Sequence, residues 1–124
     1  MLLGETTTTT YHLIDGILFS RIKPNTHMTH ENAKENEAMR NTFEFPEHLP
    51  GLMDLRNLER ISFKGLMATV DAAKRTPLSA AAILFNKTAQ QIIAKEATIF
   101  HRASYPLKAF NDEEKALQWL RSYL

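Results

Sequence analysis

The opening segment has a hydrophobic and polar pattern that predicts a β-hairpin. Residues 6–14 are rich in β-branched side chains, residues 17–22 are apolar, and the intervening Asp15-Gly16 pair favours the positive φ of a tight turn. Pro24 ends the second strand, because proline has no N–H to donate to a ladder. The run of threonines from 6 to 10 is interpreted as part of a strand with one face in solvent.

Four helices are expected from capping residues and from apolar positions repeated every three or four residues. Thr29 can cap a polar first helix that ends near Thr42, and Ser62 can cap a second helix that ends before Pro77. The last helix is expected to bury Trp119 against the sheet. The other expected core positions are Phe63, Leu66, Met67, Val70 and Ala73, then Ala89, Ile92, Ile93, Ala97 and Phe100, and finally Ala116, Leu117 and Leu120.

Short apolar runs between the helices predict three further strands, at residues 51–55, 79–85 and 107–110. The run at 79–85 is continuous, which is typical of a strand buried on both faces. The order is therefore β-β-α-β-α-β-α-β-α, an α/β fold with a mixed, mainly parallel sheet behind an N-terminal hairpin. A chain of 124 residues has room for a single domain, 1–124.

Composition removes several classes of function. Hydrophobic residues make up 44% of the chain and charged residues 23%, which is typical of a globular protein. Cysteine is absent, so disulfides, thiolate metal sites and cysteine nucleophiles are excluded. The sequence contains neither a signal-peptide pattern nor an apolar run long enough to span a membrane, so we expect a cytoplasmic protein.

The net charge of +1 conceals an uneven distribution. Residues 1–59 carry 5 basic and 9 acidic side chains, whereas residues 60–108 carry 8 basic and 2 acidic ones. The basic residues are spread singly, so a solvated surface is expected and nucleic-acid binding is not. The complementary blocks, together with a threonine-rich first strand at the edge of the sheet, predict a homodimer.

Three segments, at 31–36, 52–56 and 109–120, resemble the SpoIIAA-like superfamily. The last is the most specific of them, because it contains an Ala-Leu-x-Trp-Leu ending. That superfamily includes the anti-sigma-factor antagonist (STAS) domains and small STAS/SEC14-type proteins described as lipid carriers. The resemblance implies four βα turns with helices packed on the sheet, and no enzymatic activity.

One departure from the resembled family concerns regulation. Phosphoregulated antagonists carry an Asp-Ser-Ser-Gly-Leu turn whose serine accepts phosphate at a helix N-terminus. The corresponding stretch here, residues 61–66, reads Ile-Ser-Phe-Lys-Gly-Leu, so Phe63 and Lys64 occupy both serine positions. Ser62 stands where the family has aspartate and is expected to cap the helix. The phosphorylation switch of the family is therefore not expected.

Polar residues that follow two of the predicted strands form the candidate ligand- or partner-binding site. Ligands of open α/β sheets bind beyond the carboxyl ends of the strands. Structural alternatives stay open, since Asp54 and Arg56 can form an ion pair that fixes the loop and Asn86 can cap a helix. The candidate residues are Asp54, Arg56, Asn57, Ser62, Asn86, Lys87 and Thr88.

The remaining candidate chemistry is weak. His27 and His30 lie on either side of the predicted cap at Thr29, and no third zinc ligand is fixed by the sequence. His12, His48 and His101 are far apart and suggest no catalytic triad. Glycine-rich loops for phosphate are also absent. No metal, cofactor or catalytic residue is expected.

The sequence therefore predicts a non-enzymatic regulatory or protein-interaction module. The alternative is a carrier of a small apolar, lipid-like ligand. Such a carrier would need a cavity of about 300 Å³ or more between the helices and the sheet.

Overall fold

The computed structural model describes residues 1–45, 47–100 and 105–124, which form eight strands and four helices. The side chain of Phe100 and the whole of His101 lie outside the described residues. The strands are β1 (Leu2–Glu5), β2 (Thr9–Ile14), β3 (Ile17–Ile22), β4 (Thr26–Met28), β5 (Leu49–Asp54), β6 (Leu58–Ile61), β7 (Leu78–Leu84) and β8 (Leu107–Phe110). The helices are α1 (His30–Arg40), α2 (Phe63–Arg75), α3 (Thr88–Phe100) and α4 (Glu113–Arg121).

Six of the strands form one sheet in the order β1-β2-β3-β5-β7-β8. The predicted hairpin is β2–β3, which is antiparallel and turns at Asp15 and Gly16 with φ of 51° and 80°. From β3 to β8 the pairs are parallel, so the carboxyl ends of these strands meet at one edge. The predicted mixed, mainly parallel sheet is confirmed, and β7 is an interior strand as its apolar run predicted.

Three short strands are additions to the predicted order. β1 pairs antiparallel with β2, and β4 pairs with β6 in a separate two-stranded sheet. The threonine-rich strand is therefore not the sheet edge, which corrects one basis of the predicted dimer. Within the threonine run, Thr6, Thr8 and Thr9 are buried, whereas Thr7 is exposed and Thr10 is half-buried. Asn36 of α1 hydrogen-bonds to Thr6 and Thr8 and so satisfies their hydroxyls away from water.

Apolar side chains pack on both faces of the sheet. On one face α4 buries Ala116 and Leu120 against β5 and β7. On the other face lie α1, α2 and α3, with Leu66, Val70 and Ala94 among their buried residues. β7 contributes apolar side chains to both faces, because successive side chains of a strand point to opposite sides of the sheet.

The predicted core stripes of α2 and α3 are wrong at several positions. Phe63 is 73% exposed because it lies in the first turn of α2, before the helix reaches the sheet. In α3, Ile92 is exposed and Gln90 is buried. The Gln90 side chain can be buried because it donates to the carbonyl oxygens of Arg56 and Leu58, at 2.9 and 3.1 Å.

Trp119, in the last helix, packs against the apolar core on the α4 side of the sheet. This side chain is half-buried, and its ring packs against Phe110 and Tyr123 with centroids 5.6 and 5.2 Å away. Asp112 caps the helix by accepting from the backbone N–H of Lys115 at 3.0 Å. α4 is therefore anchored mainly by Ala116 and Leu120, with Trp119 covering the rim of the core.

Candidate functional site

Four charged side chains from distant parts of the chain meet at the carboxyl edge of the sheet. Asp54, at the end of β5, is buried, and Arg21 of β3 donates to it at 2.6 Å. Arg56 also donates to Asp54, through Nη2 at 2.9 Å and Nε at 3.0 Å. Glu113, in the first turn of α4, bridges the two arginines at 3.0 and 2.8 Å. We call these four residues the edge cluster.

All the charges of the edge cluster are satisfied within it. Burial by itself raises the pKa of Asp54, but hydrogen bonds from Arg56 and Arg21 outweigh that effect and hold the pKa below its ordinary value. The hydrogen bond with Asp54 raises the pKa of Arg56 in turn. The ion pair offered as the structural alternative is thus present, and it ties β3, β5 and α4 together.

The other predicted site residues do not belong to the edge cluster. Asn57 is exposed and donates from its side chain to the carbonyl oxygen of Ile22 at 3.4 Å. Asn86, Lys87 and Thr88 are also exposed, at the end of β7. Sequence reasoning missed Gln90, which accepts from the backbone N–H of Asn86 at 3.0 Å and so links the two loops. A single glutamine inside a helix carries no pattern that would have revealed it.

Ser62 occupies the N-cap of α2, as its sequence position predicted. Its hydroxyl oxygen accepts from the backbone N–H of Gly65 at 2.9 Å. A Cβ atom at Gly65 would lie 2.7 Å from the carbonyl oxygen of Met28, so the start of α2 lies directly against β4. This packing fixes the backbone beside Phe63 and Lys64, whose side chains face solvent.

An open groove of about 930 Å³ runs between α1 and α2. The Arg75–Glu37 ion pair, 2.8 Å between Nε and Oε2, joins the two helices along it. Phe63 lies at the start of α2 and contributes a large exposed apolar surface to the groove. The other groove-lining residues include His30, Lys34 and Met67.

Two adjoining cavities lie between the helices and the sheet, with volumes of about 90 and 50 Å³. Alanine and other apolar side chains form most of their walls. Seven residues line both cavities, and the polar ones among them are Ser20, Arg40 and Thr69, so the two cavities lie side by side. Neither volume approaches the roughly 300 Å³ expected for a lipid carrier.

The residues that the structure describes contain neither a cluster of metal ligands nor a helix able to span a membrane. His27 is exposed and His30 is half-buried, and no group of three or more His, Cys, Asp or Glu in the described ranges could hold a metal ion. Across these same residues, every helix is too short or too polar to span a bilayer.

The fold is that of the SpoIIAA-like proteins. A crystal structure of an uncharacterized protein from the DUF3478 family of Shewanella loihica PV-4, which has a SpoIIAA-like fold, is similar over 94% of this chain and 99% of that one. The TM-score is 0.63 at 16% sequence identity, so the likeness concerns the fold alone. The chain itself belongs to a domain family of unknown function, DUF7793, which matches residues 11–124. No curated protein matches it.

Proposed function

We propose that this protein is a non-enzymatic regulatory module that binds a polypeptide partner on the α1–α2 face. The observation that carries the proposal is Phe63, a phenylalanine 73% exposed at the end of the α1–α2 groove. Aromatic side chains, phenylalanine among them, are enriched at the buried cores of protein interfaces. Ser62 and Gly65 hold the backbone in place beneath it, so the ring is presented on a rigid support.

Partner binding at this face would be independent of phosphorylation. Phe63 and Lys64 occupy the positions at which the resembled antagonists carry serine, and the Ser62 hydroxyl is engaged in capping α2. Treatment with an antagonist-type kinase should therefore leave residues 61–66 unmodified in a mass spectrum. Phosphate on Ser62 would contradict this account of regulation.

Alanine substitution tests the proposed face. Phe63→Ala should lower affinity for the partner at least about tenfold, since a central aromatic anchor is lost. Ile92→Ala is the matched control, because Ile92 is an exposed apolar residue on α3 and is absent from the groove. The partner would be captured from lysate on the wild-type chain, purified, and titrated against all three proteins by calorimetry. Equal affinities for wild type and Phe63→Ala, or recovery of no stoichiometric partner, would contradict the proposal.

A second candidate function is binding of a small apolar ligand, and the two adjoining cavities favour it. Their volumes of about 90 and 50 Å³ exclude a long lipid chain but suit a compact molecule. An engineered apolar cavity of about 150 Å³ is large enough for benzene. The ligand would therefore be smaller than the lipid-like one expected from the sequence.

The other expectations stand as parts of this proposal. The residues beyond the strand ends remain candidate contacts for a partner, and we propose a cytoplasmic location and a homodimer. The dimer would use the edge strand β1 in place of the threonine-rich strand. The candidate contact residues are Asp54, Arg56, Asn57, Ser62, Asn86, Lys87 and Thr88.

A further inference from the structure

Arg40 differs in its pairing from the arginines of the edge cluster. It is half-buried in the last turn of α1 and lines both cavities. Arg21 and Arg56 each pair with carboxylates, whereas Arg40 forms no ion pair with any described residue. Among those residues its hydrogen-bond partner is the hydroxyl of Tyr11, which accepts from Nη1 at 3.1 Å. A guanidinium has five N–H donors, so most of them are available to a ligand.

No carboxylate of the described residues forms an ion pair with Arg40, although the charge of Glu37, on the same helix, interacts with it at longer range. Burial raises the pKa of Tyr11 above its ordinary value and raises the pKa of Tyr105 to about 12, so both phenols are uncharged at neutral pH. Tyr105 donates its hydroxyl hydrogen to the carbonyl oxygen of Ala73 at 2.6 Å. The Glu37 carboxylate is held by Arg75, with both of its oxygens 2.8 Å from guanidinium nitrogens.

Ser20 provides a second donor beside Arg40. Its side chain belongs to β3, lines both cavities and is only 8% exposed as a residue. No described residue hydrogen-bonds to its hydroxyl. The other hydroxyls nearby are occupied, since Thr69 and Thr76 donate to the carbonyl oxygens of Gly65 and Ala72 at 2.8 and 2.9 Å. The Ser20 hydroxyl is therefore free to donate to a ligand that enters the cavities.

We propose that the two adjoining cavities bind a small monocarboxylate, with its carboxylate on Arg40 and Ser20 and its hydrocarbon part against the apolar walls. A guanidinium matches a carboxylate with parallel, charge-assisted hydrogen bonds. Alanines 81, 82 and 97 leave the space that the hydrocarbon part would fill. From the cavity volumes we expect up to about six carbons. This inference rests on the second candidate function and specifies its ligand class.

Paired probes test the inference on the full chain. Pentanoate and its neutral isostere pentanamide would be titrated at pH 7 by calorimetry and by amide chemical-shift mapping. Pentanoate should bind at least about tenfold more tightly than pentanamide, because only the carboxylate forms charge-assisted hydrogen bonds with Arg40. The shifts should centre on the cavity walls.

Three variants locate the binding site. Arg40→Met retains an apolar stem and should weaken pentanoate at least about tenfold while leaving pentanamide within about twofold. Arg40→Lys should recover part of the pentanoate affinity. Ala97→Leu, which fills space in both cavities, should abolish binding of both probes. Thermal unfolding and circular dichroism would confirm that each variant is folded, and Ser20→Ala provides a smaller perturbation if Arg40→Met is not.

Each alternative outcome overturns a defined part of the argument. Equal binding of the two probes would refute the carboxylate specificity and leave the apolar-ligand function in place. Pentanoate binding that survives both Arg40→Met and Ser20→Ala would place the anion elsewhere and refute the inference. Failure of both probes to bind would refute the inference and the apolar-ligand function together, while leaving partner binding at Phe63 unaffected.

Discussion

The edge cluster makes a specific prediction for Asp54→Asn. This substitution keeps the size of the side chain but removes the charge that holds Arg21 and Arg56, whose nitrogens lie 2.6 and 2.9 Å from Oδ2. Removing one partner of a fully buried ion pair costs about 3 to 5 kcal/mol. The arginine side chains are 31% and 36% exposed, and Glu113 still bridges them, so water and Glu113 offset part of the loss. We expect the free energy of unfolding to fall by about 2 kcal/mol at pH 7.

The pH dependence of this loss identifies its cause. The folded protein holds the pKa of Asp54 below its ordinary value of 3.8, so the carboxylate stabilises the fold above that pH. This stability is lost as the pH falls through the lower pKa of the folded state. The difference between wild type and Asp54→Asn should thus be constant from about pH 7 to 5 and shrink below about pH 4.

Urea denaturation followed by circular dichroism would measure both effects. Glu114→Gln is the matched control, because it removes the same charge from an exposed pair with Arg121 and should cost less than about 0.5 kcal/mol. A loss for Asp54→Asn no larger than that of the control would refute the reasoning. So would a difference that stays unchanged from pH 7 to pH 3.

Three further predictions follow from the packing. Gly65→Ala should lower the free energy of unfolding, measured by urea denaturation, by about 2 kcal/mol, because its Cβ would lie 2.7 Å from the carbonyl oxygen of Met28. An unchanged free energy of unfolding would show that β4 can move to accommodate the methyl group. Trp119→Ala should also lower the free energy of unfolding by about 2 kcal/mol, which is less than the loss expected for a fully buried tryptophan. A loss below about 0.5 kcal/mol would show that α4 contributes little to the stability of the fold. Light scattering at about 0.1 M and 1 M salt should detect a dimer. A dimer that survives about 1 M salt implicates the β1 edge, and a dimer that is lost at about 1 M salt implicates the charge blocks. A monomer at both salt concentrations would refute the homodimer.

The elements that the sequence predicted are those with strong local signals. Asp15-Gly16 favours positive φ at both residues, and the hairpin turns there. The continuous apolar run of β7 identified an interior strand, and Thr29 and Ser62 cap the helices assigned to them. β1, β4 and β6 have only 4, 3 and 4 residues, too few for a periodic pattern to stand out. Their strand conformation comes from pairing with neighbours in the folded chain. β8 is as short, but it was predicted because Pro106 and the start of α4 mark its two ends.

The candidate site was only partly accessible to sequence reasoning. Asp54 and Arg56 were predicted because they follow a strand, and they are two residues apart in the chain. Arg21 lies 33 residues from Asp54 along the chain, and Glu113 lies 57 residues from Arg56. Both were missed, because no local sequence pattern connects residues so far apart. Arg40 was missed for a different reason: α1 has a polar, weakly patterned sequence, and the cavities beside it exist only once three helices pack on the sheet.

The two proposed sites lie on opposite sides of the same pair of helices. α1 contributes Lys34 and Glu37 to the groove and Arg40 to the cavities. α2 contributes Phe63 to the groove and Val70 to the cavities. Binding of a carboxylate to Arg40 would therefore involve α1, which also forms part of the proposed partner surface. If the ligand changes partner affinity by some factor, thermodynamic linkage requires the partner to change ligand affinity by the same factor.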